Sequence, residues 1–106
     1  MKRSESIIDG GNDRECWICG SIKDLEVHHC VHGTANRIQA DRYGLWVYLC
    51  RECHTGTFGV HGKHGRERDL TLKRAAQRAF EKRHSREMFR AIFGKSYLEE
   101  NECTNG

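Results

Sequence analysis

The apolar positions of this chain change period three times, and each change predicts an element. Leu25-Glu-Val-His-His-Cys-Val31 alternates with period two, so residues 25–31 are expected to form a strand with Leu25, Val27 and His29 on one face and Glu26, His28 and Cys30 on the other. Residues 35–43 read as a short helix that Thr34 caps and Gly44 ends. Leu45-Trp-Val-Tyr-Leu49 is aromatic and branched, as strands prefer, and is expected to return antiparallel to the first strand and set Cys50 beside Cys19. From Arg66 the period becomes helical: Leu70, Leu72, Ala75, Ala76, Ala79 and Phe80 form one stripe, with Lys73, Arg74, Arg78 and Lys82 opposite. A last helix is expected after Ser85, burying Met88, Phe89, Ile92 and Phe93 and stopping at Gly94, with Tyr97 and Leu98 packing back. Between the second strand and these helices, residues 55–65 carry four glycines and read as a loop.

These elements make one small α+β domain. Residues 1–14 read as a flexible lead-in without function and residues 15–98 as the domain, with a core at 15–62 and helices at 66–98. Residues 99–106 read as a disordered acidic tail in which Cys103 is a free thiol without a role. With 106 residues and 37% apolar composition the core is thin, and such chains commonly need a metal, disulfides or a partner. No apolar run resembles a signal peptide or a membrane span, which sets the expectation of a cytoplasmic protein of a bacterium or a phage-infected cell. In a reducing compartment paired cysteines read as metal ligands.

The cysteine spacing makes that concrete. Cys16-Trp-Ile-Cys19 and Cys50-Arg-Glu-Cys53 are two Cys-x-x-Cys knuckles, four soft ligands that complete a tetrahedral zinc site and leave it closed. Gly20 stands where the first knuckle turns, and Trp17 is expected to cover the site. Cys30, alone on a strand, reads as packing. His28 and His29 lie between the knuckles and point to opposite faces, which suits two roles; His54 directly follows the second knuckle. Charge is unevenly spread. Residues 1–62 hold 7 Lys/Arg against 8 Asp/Glu, residues 63–95 hold 11 against 4, and residues 96–106 hold three acids and no base. A basic block beside a metal motif fits a phosphate-tracking surface, with Arg66, Arg68, Lys73, Arg74 and Arg78 as the contact residues.

The order Cys-x-x-Cys, strand ending in His-His, second strand, Cys-x-x-Cys-His resembles the HNH endonuclease family over about residues 15–62. The later Gly-Val-His, basic helix and closing Phe-Gly-Lys-Ser-Tyr-Leu look like small phage-encoded members, some associated with recombination. The resemblance implies a ββα-metal core with a structural zinc and a catalytic divalent ion (Mg, Mn or Zn). It also implies hydrolysis of phosphodiester bonds in DNA, with no membrane partner and a possible protein partner that supplies specificity. By position, His29 would be the general base, and His28 and His54 would be ligands of the catalytic ion. Two departures from the family pattern bear on the remaining roles. The position of the family's bracing Asn is Leu45, so Asn36 is the nearest substitute. The position of a further His is Phe58, so His61 is the candidate third ligand. His64 reads as solvated or phosphate-facing, and His32 and His84 as plain surface residues. The rival reading is a non-catalytic zinc-ribbon module binding nucleic acid or protein, which leaves the histidines without a task.

Overall fold

The computed structural model describes residues 4–57 and 59–99, apart from the side chain of Thr34. Strand β1 (Leu25–His29) pairs antiparallel with β2 (Trp46–Cys50), Leu25 opposite Cys50 and His29 opposite Trp46. Helix α1 (Thr34–Tyr43) lies between them in sequence, α2 (Arg51–Thr55) leaves β2 directly, and α3 (Arg66–Glu81) and α4 (Arg86–Phe93) follow. The α+β architecture of a two-stranded antiparallel sheet with helices matches the expectation. Among the described residues no helix is long and apolar enough to cross a membrane.

Local chemistry accounts for most boundaries. Ser85 caps α4 by accepting a hydrogen bond from the Met88 N–H at 3.0 Å, and Gly94 ends it in the left-handed region. Gly44 ends α1 in the same way, at φ +71°. The N-cap of α1 is Gly33 rather than Thr34, which is already helical, and no side chain caps that end. Strand β1 starts where the pattern places it and ends two residues early, where the chain bends toward α1, and β2 lies one residue later than expected, running to Cys50 where α2 begins.

The core joins both halves of the chain. Val31, Leu45, Val47 and Leu49 from the sheet region pack with Leu72, Ala76, Phe80, Phe89 and Phe93 from the helices. One feature on α3 breaks the apolar stripe: Gln77 and Glu81 are buried. Gln77 accepts from the Tyr97 N–H at 2.7 Å and donates to Glu81 at 2.7 Å and to Ser96 at 2.9 Å. Arg86 grips the Glu81 carboxylate through two nitrogens, at 2.8 and 3.0 Å. The buried polar groups are thereby satisfied, and residues 96–98 are fastened over α3 with Leu98 buried.

The expectation of a flexible lead-in is corrected for residues 4–14. Ile8 and Ser6 are buried, and Ser6 Oγ donates to the Trp46 carbonyl at 2.7 Å. The Trp46 indole N–H donates to the Ser4 carbonyl at 2.7 Å, and the Ile7 N–H to the Gly44 carbonyl at 2.9 Å. The polar composition hid this strap because its bonds are made by backbone groups and two small hydroxyls. The acidic tail from residue 100 onward, with Cys103, lies outside the described residues, as does Phe58.

The strap and the end of α1 meet at Gly44, where a Cβ would collide with the Glu5 carbonyl as well as sit at positive φ. Gly44→Ala is expected to destabilise the fold by more than about 1 kcal/mol, read as a lowered urea midpoint with unchanged slope.

Candidate functional site

The two knuckles meet as the spacing predicts. One sulfur from each of Cys16, Cys19, Cys50 and Cys53 lies within 4.8 Å of the other three, a group able to hold a metal ion. The first knuckle turns at Gly20, at φ +78°, whose N–H donates to the Cys16 carbonyl at 2.8 Å; the Cys19 N–H points to Cys16 Sγ at 3.5 Å. Such N–H groups stabilise thiolate. Burial works to raise the Cys16 thiol, but the backbone N–H groups of Cys50, Cys19 and Ile18 outweigh it and bring it down to about 6. Cys53 moves the other way, through burial and then its neighbouring sulfurs. Four thiolates this close repel one another unless a cation lies between them, so the donor set fits zinc and is closed once filled. Cys30 is fully buried on the far side of His29, its thiol pushed up by burial and by Asp69; it packs, as expected, and joins no metal group among the described residues.

A second convergence lies on the other part of β1. His28, His54 and His61 each bring one ring nitrogen to within 4.8 Å of the others. Three different elements supply them. His28 is on β1, and His54 is on α2, one residue past the last cysteine. His61 is on the glycine-rich loop, held by its N–H donating to the His54 carbonyl at 2.9 Å. That loop follows α2 so closely that a Cβ on Gly62 or Gly65 would strike the carbonyls of Gly56 and Gly59. The glycines serve close backbone approach, which delivers His61 without a regular helix.

The environment of these rings suits a ligand set. His28 is 1% exposed, and its Nε2 has no hydrogen-bond partner, an orphan buried nitrogen that a metal ion would satisfy. Burial first, and then the neighbouring His54, His61 and His32, push its pKa down to about 3, so its lone pair stays available. His61 is also lowered, by burial first and by His32 and His54 next. His54 Nδ1 donates to the Glu26 carboxylate at 2.8 Å, since a carboxylate only accepts, and this leaves Nε2 as the donor atom. A carboxylate behind an imidazole is the usual outer support of a metal-binding histidine.

His29 faces elsewhere. Its Nε2–H donates to Asp41 of α1 at 2.8 Å, so Nδ1 keeps the lone pair. It nevertheless borders the same cleft of about 430 Å³, whose walls include His28, His54, His61, His32 and Arg37. His32, expected to be plain surface, stands beside this group. Its ring centroid is 4.9 Å from that of His61, and its Nε2–H donates to Asp69 at 3.1 Å. Asn36 is on α1, its side-chain amide donating to the His32 carbonyl at 3.3 Å; it ties the loop that follows His29 without touching His29.

The expected phosphate contacts on α3 are differently occupied. Lys73 is paired with Asp69 at 2.8 Å, and Arg74 donates to the Tyr97 carbonyl at 3.1 Å, so both serve the fold. Arg66, Arg68 and Arg78 are exposed, but none of these five residues lines the histidine cleft. His64 is exposed on the loop, its N–H bonded to the Thr57 carbonyl, and His84 stacks on Phe80. Sequence reasoning passed over Glu26, Asp41 and Arg37. Glu26 was legible, two strand residues before His28 and therefore on its face; Asp41 and Arg37, one turn apart on α1, required the packing of that helix.

Comparison of the chain with protein-family models, with curated proteins and with solved structures gives no match.

Removing one thiolate breaks the closed site. Cys50→Ser is expected to abolish bound zinc, measured by atomic emission, and to lose the cooperative unfolding transition. Exhaustive chelation of the unmodified chain should do the same.

Proposed function

We propose that this chain is a metal-dependent nuclease of the HNH type, hydrolysing phosphodiester bonds in DNA on a ββα-metal core. The observation that carries the reading is the convergence of His28, His54 and His61 in one cleft with the His29–Asp41 pair. An antiparallel ribbon followed at once by α2, with the base on the first strand and a ligand on the helix, is the arrangement that the resemblance implies. The zinc-ribbon alternative accounts for the cysteines only; a buried histidine with an orphan nitrogen is a cost with no return in such a module.

In this reading His28, His54 and His61 hold a divalent ion, with Glu26 fixing the tautomer of His54. The bound ion supplies positive charge to the scissile phosphate and to the leaving 3′ oxygen. His29 Nδ1 accepts a proton from the attacking water, the new bond forms at phosphorus, and the bond to the 3′ oxygen breaks with its electron pair going to that oxygen, which then takes a proton from solvent to give the 3′ hydroxyl while His29 returns its own to solvent. Asp41 holds the His29 ring in the tautomer and direction this needs, the same division of labour as any base with an orienting carboxylate. Arg37 adds positive charge at the rim. The three ligands are all imidazoles, a set that suits Zn, Co or Ni better than the oxygen-seeking Mg. Among the described residues no element offers a base-reading surface, so cleavage is expected to be weakly sequence-selective unless a partner protein directs it.

His29→Ala is expected to keep the zinc and the cooperative fold while lowering plasmid nicking by on the order of a hundredfold or more. Retained nicking would remove His29 from the mechanism. Asp41→Asn should lower the rate while leaving metal binding intact. Calorimetric titration of the zinc-loaded chain with manganese or cobalt should show one further site, lost in His28→Ala and weakened roughly tenfold or more in Glu26→Gln. No further site in the unmodified chain would overturn the reading.

A further inference from the structure

Behind α1, away from the histidine cleft, lies a second cleft of about 530 Å³. Its walls come from three separate stretches: Ser4 and Glu5 of the N-terminal strap, Arg42 and Tyr43 at the end of α1, and Arg83 and His84 just past α3. We propose that this cleft binds the sugar–phosphate backbone of the same nucleic acid at a point remote from the bond that is cut, so that the substrate lies across α1. The inference rests on the nuclease reading and adds to it a second contact region.

Charge and chemistry carry the argument. The basic block looked like one surface in the sequence, but many of its cations are engaged. Lys73 pairs with Asp69, Arg74 with the Tyr97 carbonyl and Arg86 with Glu81, while Arg68, Arg78 and Arg90 have interactions of their own. Arg42 and Arg83 are exposed, and neither guanidinium is paired among the described residues. Arg37, at the rim of the histidine cleft, is in the same condition. Unpaired guanidinium groups facing clefts are the form in which positive charge recognises phosphate.

The walls also fit a nucleotide. Tyr43 and His84 stand edge to face at 5.7 Å, and both rest on Phe80, so the cleft has a rigid aromatic side. The Ser4 hydroxyl donates to the Arg42 carbonyl at 2.9 Å and so fastens the strap to the end of α1 rather than facing a phosphate, and Glu5 is the one carboxylate of the lining. Rings with arginines beside them accept a sugar and base edge next to a phosphate.

Helix α1 separates the two clefts and fixes their relation. Five residues separate Arg37 from Arg42, about 7.5 Å along the axis and well over a quarter turn around it. On the arc between them lie Ile38, which is exposed, and Asp41, the one acid of α1, so a strand passing from one cleft to the other would cross an apolar side chain and a carboxylate already bonded to His29.

The test is binding of a 30-base-pair duplex by fluorescence anisotropy over a series of salt concentrations, on the full zinc-loaded chain without added divalent ion. In the double variant Arg42→Ala/Arg83→Ala, affinity should fall on the order of tenfold and the slope of log K against log salt should become shallower by about two. The charge-preserving Arg42→Lys/Arg83→Lys chain should recover the slope. Both side chains are exposed, so the variants are expected to fold, which zinc content and circular dichroism verify. Binding and slope equal to the unmodified chain in the alanine variant would overturn the second cleft. If the unmodified chain nicks plasmid while that result holds, only this inference fails. If it neither binds duplex nor nicks plasmid, the nuclease reading falls with it.

Discussion

Everything in this molecule hangs on the mutual approach of four sulfurs. Cys16 and Cys19 lie on a tight turn that leads into β1, and Cys50 and Cys53 lie where β2 becomes α2. Joining them fixes the turn before the first strand to the end of the second, which the register confirms by setting Leu25 opposite Cys50. A core of this size cannot hold a two-stranded ribbon by itself, since isolated hairpins are marginal in water. Four thiolates this close repel one another without a cation, so an ion held by them would couple its binding to folding of the ribbon.

The same constraint positions the histidines. Cys50 is the N-cap of α2 and Cys53 faces the sulfur cluster, so the next residue, His54, is turned toward β1, where Glu26 receives it. Strand alternation then does the rest. His28 is committed to the face that meets His54 and His61, and His29 to the face that meets α1 and Asp41. Two adjacent residues thus border one cleft from different sides, His29 backed by Asp41 and His28 beside the Glu26-backed His54. The orphan nitrogen of His28 is the point at which the fold is locally unsatisfied. Stable proteins leave such groups where another species completes them.

Much of this was legible because it is periodic or because spacing is chemistry. The Cys-x-x-Cys knuckles, the alternation through His28 and His29, the cap at Ser85 and the stops at Gly44 and Gly94 all follow from local rules that tertiary structure did not override. What escaped is non-local or carried by the backbone. The strap at residues 4–14 looked like loose polar sequence, yet Ser6 and Trp46 bind it across forty positions of chain. Thr34 looked like a cap, but it is already helical and Gly33, at φ +109° where a side chain is disfavoured, takes that place. His32 looked like surface, and only the approach of Asp69 from α3 shows that it belongs beside His61. Gln77 and Glu81 interrupt an apolar stripe for a reason found twenty residues later, at Ser96 and Tyr97.

Charge is where sequence and structure differ most in meaning. Counting residues placed the positive field on α3, because that is where Lys and Arg are dense. A cation beside Asp69 or a backbone carbonyl has already spent part of its field, however, and contributes less to a polyanion than an unpaired one. Exposed cations such as Arg66 are also left unpaired among the described residues, so what sets three arginines apart is that they line clefts, Arg37 on one flank of α1 and Arg42 and Arg83 on the other. On the proposed reading this adds the short helix between the strands to the helix richest in basic residues as a surface that a phosphate would meet. The short helix is also the one that carries Asp41 to His29. Since α1 is held by the strap at one end and by the sheet at the other, the distance between the His29 imidazole and the second cleft is a property of the fold. A strand seated in both clefts would thereby be fixed in register against His29.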